Sequence, residues 1–479
     1  MAKVCAYELV ATILSSPSFS CTNLIIFLYF FTYILRAPTF RLDDPYDECI
    51  FPSDDKVAEG KPNWARYEFN AGTDNVVDSL IERVDPGNEE LRKQCKVWMQ
   101  LSVLINEGFT ALGWTRIVPS FLRFLLRKQV KELYTLASYS VRDVQYAIFN
   151  KNYSIAQLLK DCPQALEGEE SDPVLRRVKA VLNHPIGDYA VQPRVATFAA
   201  QGITMAHYAE GAAYTVGCTN NISIRMSSML RAMGGEVLCD ATVEKIILEK
   251  GRAVGVLVRN TSAGKDGPVT EIHARNIVCA TSVFNLHHHL LPGDHPQVND
   301  FFDPTKRTIK ESNGHVFLFC KIRGDAKDLR LPTHNLWYFN SYDMDTAFDK
   351  YYADPVTHRP PTCYIGFPVS ILAMHNFPRC VCLHNSLLIT ILLLSGLFSS
   401  NSVRKIRLGP NVFQASQIAF SSLMDCMSGA KSGLAQKSTS VVTTTKNSRT
   451  LWQSIYWISS TKQSPRPRAR LNTGHLGRL

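Results

Sequence analysis

Acidic residues all but stop at Asp354. From Pro355 to Leu479 the sequence holds one, Asp425, although the chain has 42 in all. Beyond Lys431 it is rich in Ser and Thr with basic punctuation, and such a stretch buries too little apolar surface to offset its ordering entropy. This composition separates a body able to fold from a basic C-terminal part, of which residues 369–479 are expected to be a disordered tail. Val369-Ser370 opens that tail, and Val-Ser is what a common splice-donor sequence encodes in that frame. Residues 369 onward therefore read as retained intron or shifted frame, forming no packed core with the body. A basic tail that binds a membrane surface or RNA is the alternative.

The same asymmetry explains the net charge of +10. Residues 404–479 carry 12 of the 52 Lys and Arg, so the remainder is close to neutral and no nucleic-acid partner is expected. The 13 cysteines are odd in number and scattered, which argues against a disulfide framework. His375, Cys380, Cys382 and His384 lie close together, but without the CxxC or HxxxH spacing that zinc sites use, so no metal is expected.

At the other end, Leu9–Leu35 contains no charged residue and exceeds the ~20 residues needed to cross a bilayer. Residues 1–63 thus read as an apolar signal or anchor followed by a linker, or as a buried segment. A second apolar run, Leu387–Phe398, is too short to span comfortably.

Between these ends the pattern is helical, then β-rich. Asp172-Pro173 starts one helix. Another follows Thr219-Asn220, with Ile222, Met226, Met229, Leu230 and Met233 at core spacing, and Gly234-Gly235 ends it. In VPSFLRFLLRKQVKELY, Arg123, Arg127 and Lys131 form one stripe beside Phe121, Phe124 and Leu125. The stripe is either the solvated face of a packed helix or a helix lying on a membrane. Strands are expected at Glu236–Cys239, Val243–Leu248, Ala253–Val258, Glu271–Ala274, Asn276–Ala280, His315–Ile322, Asn335–Phe339 and Cys363–Phe367. His287–His289 are consecutive, cannot all face one ion, and read as a polar helix start. The fold class is mixed α/β or α+β.

No two glycines are separated by one residue, so a GxGxxG dinucleotide loop is absent, as are GxxxxGK[ST], HExxH and GxSxG. One longer constellation is specific. AHYAEGAAYTVGCTNNISIRMSSMLRAMGGEVLCDATVEKIILEKGRAVGVLV runs from Ala206 to Val258, and EIHARNIVCATSVFNLHHHLLP continues to Pro292. With RYEFNAGTD at Arg66–Asp74 and CYIGFP at Cys363–Pro368, it closely resembles the retinol saturase, carotenoid isomerase and phytoene desaturase group of FAD-dependent oxidoreductases.

The resemblance implies a two-domain FAD/NAD(P)-binding flavoprotein fold lacking the N-terminal βαβ unit. Residues 64–88 would be a remnant of the FAD domain, and 89–205 the helical part of the substrate domain. Residues 206–292 would return to the FAD domain, and 293–368 would supply substrate-domain strands. By resemblance, the main chain of Val243 would meet the adenine, and Asn70 and Gly72 would sit near the flavin edge. Tyr214 and Gly217 would open the helix, and the strand ending at Ala280 and Thr281 would return beneath the cofactor. The implied partner is an apolar polyene such as a retinoid or carotenoid, at the endoplasmic reticulum membrane. The sequence departs from the pattern at Thr215, where a proline is usual, and at Cys218, where a second glycine is usual. A non-catalytic protein that binds a lipid or partner through the helical region is the competing reading.

Overall fold

A computed structural model describes residues 39–53, 64–168, 170–216, 220–292, 314–322, 331–354, 357–358 and 360–367, with the strands 387–395, 439–443 and 454–458. The apolar span Leu9–Leu35 and the His375–His384 cluster lie outside these residues. Among the described residues, no helix is long and apolar enough to cross a membrane, and no group of His, Cys, Asp and Glu could hold a metal ion.

The architecture is mixed α/β. Strands β1 (Thr39–Arg41), β2 (Asp47–Pro52) and β3 (Trp64–Phe69) come first. Helices α1 (Thr73–Val84), α2 (Glu89–Trp114), α3 (Arg127–Ala137), α4 (Val141–Gln145), α5 (Pro173–Leu182), α6 (Ile186–Tyr189) and α7 (Phe198–Tyr208) follow. Then come β4 (Ala213–Thr215), α8 (Asn220–Ala232), β5 (Ala241–Glu249), β6 (Arg252–Asn260), β7 (Val269–His273), β8 (Gly314–Ile322) and β9 (Asn335–Phe339). Helix α9 (Met344–Ala353) and strands β10 (Thr362–Gly366), β11 (Leu387–Ser395), β12 (Thr439–Thr443) and β13 (Ser454–Ile458) complete them.

Eight strands form one sheet in the order β13-β12-β8-β11-β10-β9-β2-β3. Its pairings are antiparallel except β2 with β9. Residues 39–52, read from the sequence as linker, thus supply a two-stranded ribbon (β1 with β4) and an inner strand of the sheet. Asp47–Pro52 opens with two carboxylates and has only three apolar residues before its proline, too short a run for a pattern test to separate from the acidic segment before it. Three strands of the 369–479 stretch also join the sheet, where composition predicted no packing with the body. Strand β11, inserted between β10 and β8, is apolar along both faces in sequence, as an inner strand can be and a disordered tail is not.

Helices α1 to α7 bury one apolar face each around Trp98, Leu101, Ile105, Leu136, Phe198 and Val181. Trp98 Nε1 has no hydrogen-bond acceptor, and its ring meets Phe198 edge-on at 5.0 Å between centroids. Several helices start where local chemistry dictates. Asp172 accepts hydrogen bonds from the Val174 and Leu175 amides at 2.8 and 3.2 Å, with Pro173 at the first helical position.

Residues 220–292 are built differently. Helix α8 ends in a Schellman cap: Gly234 takes φ +81°, its amide donates to Arg231 O at 2.9 Å, and Gly235 donates to Leu230 O at 2.9 Å. Strands β5, β6 and β7 form a separate antiparallel sheet, turning through Lys250-Gly251, both at positive φ. Among the described residues 220–292, none belongs to the hydrophobic core described above. Of the apolar stripe expected to be core, Met229 is buried, whereas Met226, Leu230 and Met233 are exposed. Two expected strands are not formed. Glu236–Cys239 and Asn276–Ala280 are coil, and Val278 is 87% exposed. A β-strand needs a paired edge, and no neighbouring strand supplies one here. The helix near the His287–His289 run starts instead at Ser282, whose hydroxyl accepts from the Phe284 amide at 3.2 Å.

Candidate functional site

The parallel register of β2 and β9 places Asp47 opposite Asn335. Alternation along a strand puts Asn335 and Trp337 on one face. Both therefore reach the Asp47 carboxylate: Asn335 Nδ2 donates to Oδ1 at 2.8 Å and Trp337 Nε1 to Oδ2 at 3.1 Å. Tyr364, opposite Trp337 in the antiparallel β9–β10 pair, donates its hydroxyl to Asn335 Oδ1 at 2.8 Å. Gly187 on α6 permits this arrangement, because a Cβ there would lie 2.0 Å from Trp337 Cζ3.

Burial dominates the electrostatics of Asp47. Its residue is 4% exposed, and loss of solvent pushes the carboxyl up to about 7 against its two hydrogen bonds. The neighbouring residue behaves in the opposite sense. Glu48 points to the other face, where Arg66 Nη1 donates to both its oxygens at 3.1 and 2.9 Å and His334 Nε2 lies 3.3 Å from Oε2. Burial would raise the Glu48 carboxyl, but His334 and Arg66 together hold it below the usual range. Two adjacent carboxyls are thus set apart by the strand's alternation, one raised by burial and one lowered by its cationic neighbours.

Phenols surround Asp47. Tyr46 and Tyr208 stack at 5.9 Å, and burial raises both hydroxyls, as it does that of Tyr364. The Tyr364 hydroxyl is raised further by the charge of Asp47 and by Tyr208, Asp188 and Tyr214. The cluster thus joins a buried carboxyl of raised pKa to a hydrogen-bonded chain through Asn335 to Tyr364.

Three residues expected from the sequence lie on the main body. Tyr214 lies on β4 opposite Phe40 of β1 and packs against the core. The Gly72 amide donates to Ala209 O at 2.7 Å, tying the start of α1 to the end of α7 just before β4. Asn70 Nδ2 donates to Ser79 Oγ at 3.2 Å. The others do not join them. Val243 on β5 is 40% exposed, and Ala280 and Thr281 are exposed in coil. Gly217 lies outside the described residues.

The expected cofactor residues are not brought into one site. The start of α1 is occupied by its own chain: Asp44 Oδ1 accepts from the Ala71 amide at 2.8 Å, and Asp74 sits in the first turn. Sequence reasoning missed Asp47, because DDPYDE reads as acidic linker. The available signal was Asp47-Glu48 leading directly into the apolar Cys49-Ile50-Phe51. Two open clefts lie elsewhere. One of 290 Å³ includes Arg142, Glu170 and Lys179, and one of 540 Å³ includes Trp64, Tyr338 and His358.

No protein-family profile matches the chain. Among curated proteins, an all-trans-retinol 13,14-reductase of Macaca fascicularis is 29% identical over 198 residues, 40% of this chain and 31% of the relative. The Rattus norvegicus all-trans-retinol 13,14-reductase is 25% identical over 325 residues, 67% of this chain and 48% of the relative. An inactive all-trans-retinol 13,14-reductase of Danio rerio is 23% identical over 37% of this chain and 29% of its own length. The chain therefore spans about a third to a half of the length of the curated relatives it matches. A solved oxidoreductase from Methanosarcina mazei aligns over 85% of this chain and 70% of its own, at 12% identity and a TM-score of 0.37.

Proposed function

We propose that this chain, a relative of the all-trans-retinol 13,14-reductases over up to 67% of its length, binds an apolar polyene alcohol of the retinoid class. The hydroxyl end of that ligand meets the cluster of Asp47, Asn335, Tyr364 and Tyr214. The ancestral activity is redox or isomerisation chemistry on a polyene, with FAD as the cofactor that the resemblance implies. The uncharged span Leu9–Leu35 supports a place at the endoplasmic reticulum membrane.

One observation carries the distinction between binding and catalysis. Tyr214 packs against the main core and Asn70 and Gly72 stand at the start of α1, while Val243, Ala280 and Thr281 lie exposed on a unit outside that core. The residues that the resemblance assigns to one cofactor site are thus divided between the main core and a separate unit, which supports ligand binding without the FAD reaction. A second reading, a working FAD-dependent oxidoreductase, is favoured by the names of the relatives. The inactive Danio rerio relative supports retention of the scaffold without the reaction.

Two measurements on the purified full chain separate these readings. Titration with all-trans-retinol, followed by tryptophan quenching, is expected to saturate at one equivalent and to weaken in Asp47→Asn. Absence of saturable quenching would overturn the binding reading. After incubation with FAD and desalting, no stoichiometric flavin band is expected, and a retained band would restore the enzyme reading.

A further inference from the structure

Helices α2 and α3 form an antiparallel hairpin, with Gly108 of one against Gln129 and Leu133 of the other. Its tip, residues 114–126, contains a single 3-10 turn, Ser120–Leu126, in which no residue is buried. The tip carries Trp114, Ile117, Phe121, Phe124 and Leu125, and all five are exposed, Phe121 at 73% and Leu125 at 61%. These are the side chains that a packed amphipathic helix would have hidden. Scattered exposed apolar residues are ordinary, but contiguous aromatic ones at the end of a hairpin mark an interaction surface.

The charges around this tip have one sign. Between Glu107 and Glu132 the sequence has no acidic residue and five basic ones: Arg116, Arg123, Arg127, Lys128 and Lys131. All five are exposed. Glu132, the nearest acid along α3, is largely buried and lies 3.8 Å from Lys128. An apolar wedge ringed by cations matches the boundary of an anionic bilayer, where aromatic and aliphatic side chains enter the acyl region and Arg and Lys meet the headgroups.

We propose that the α2–α3 hairpin tip is a membrane-docking wedge, with Phe121, Phe124 and Leu125 inserted and Arg116, Arg123, Arg127, Lys128 and Lys131 against anionic headgroups. The occupant is a lipid surface, and the inference stands whether or not the chain binds a retinoid. It assigns to a defined part of the body an attachment that the uncharged N-terminal span could otherwise supply alone.

The test must therefore read the tip itself. Hydroxyl-radical footprinting of the full chain would follow oxidation of Phe121 and Phe124, free and with vesicles of phosphatidylcholine alone or with 30% phosphatidylserine, a fraction of the order that gives a strongly anionic surface. Oxidation of both residues is expected to fall with the anionic vesicles and to return in high salt. Substituting Arg123→Gln and Arg127→Gln should weaken partition onto anionic vesicles by roughly fivefold per cation removed. Full oxidation of Phe121 and Phe124 while the chain sediments with vesicles would overturn the proposal. So would protection already present without lipid, which would mean that another part of the chain covers the tip. Protection by a co-purified protein but not by vesicles would also overturn it, in favour of a protein partner.

Discussion

At the scale of residues, Asp47 and Glu48 show how strand geometry sorts chemistry. The two carboxyls are adjacent in sequence, yet one is driven up to about 7 by burial while the other is held down by His334 and Arg66. The raised Asp47 carboxyl has a definite consequence for stability. Below its unfolded value both states carry the proton. As pH rises from about 4 to 7 the unfolded chain releases it first, so folding loses stability across that window and no further above it. Asp47→Asn removes this titration. The variant's melting temperature is expected to gain on the wild type between pH 4 and 7, and a difference constant with pH would refute the assignment. His184, also buried and pushed down to about 3, contributes in the opposite sense in both proteins and cancels from the comparison.

The elements divide by whether a local signal or a distant partner forms them. Asp172 and the Gly234-Gly235 pair act through their own backbone and are in place. Replacing Gly234 with Ala puts a Cβ into a left-handed conformation at φ +81°, at a cost of about 1 kcal/mol. Because α8 contributes few buried side chains, that cost should appear as fraying of α8 and not as loss of the main core. Circular dichroism and amide exchange of residues 226–235 would show it. Unchanged exchange at those amides would mean that tertiary contacts, not the cap, hold the helix end.

For the whole molecule, the hydrophobic core joins β2, β3, β9 and helices α1 to α7, and leaves residues 220–290 to Met229 and Ile246 as their buried apolar side chains. Local opening costs least where little apolar surface is buried. Amides of β5, β6 and β7 are therefore expected to exchange at least tenfold faster than those of β2 and β9, a factor equal to about 1.4 kcal/mol of local stability. Equal protection in both sheets would show that the 220–290 unit shares the cooperative core. The same separation accounts for the scattering of the expected cofactor residues, since Val243 and Thr281 belong to the unit that lacks a large core and Tyr214 packs against the main one.

The sequence by itself determined what short-range chemistry controls. It located the helix start at Asp172-Pro173, the glycine stop after Met233, the β5–β6 hairpin, and strands β8, β9 and β10 to within a residue or two. It also identified the relationship to retinol reductases, because that pattern is carried by residues close together in the chain. Tertiary structure alone decided the rest. Asp47 becomes a buried acid only through pairing with a strand almost three hundred residues away, a contact that leaves no periodic trace in either segment. Asn276–Ala280 has strand composition but no paired edge, so its composition has no effect. The Phe121–Leu125 run is amphipathic by sequence and exposed in the fold. Whether an apolar face is hidden depends on what other parts of the chain bring against it.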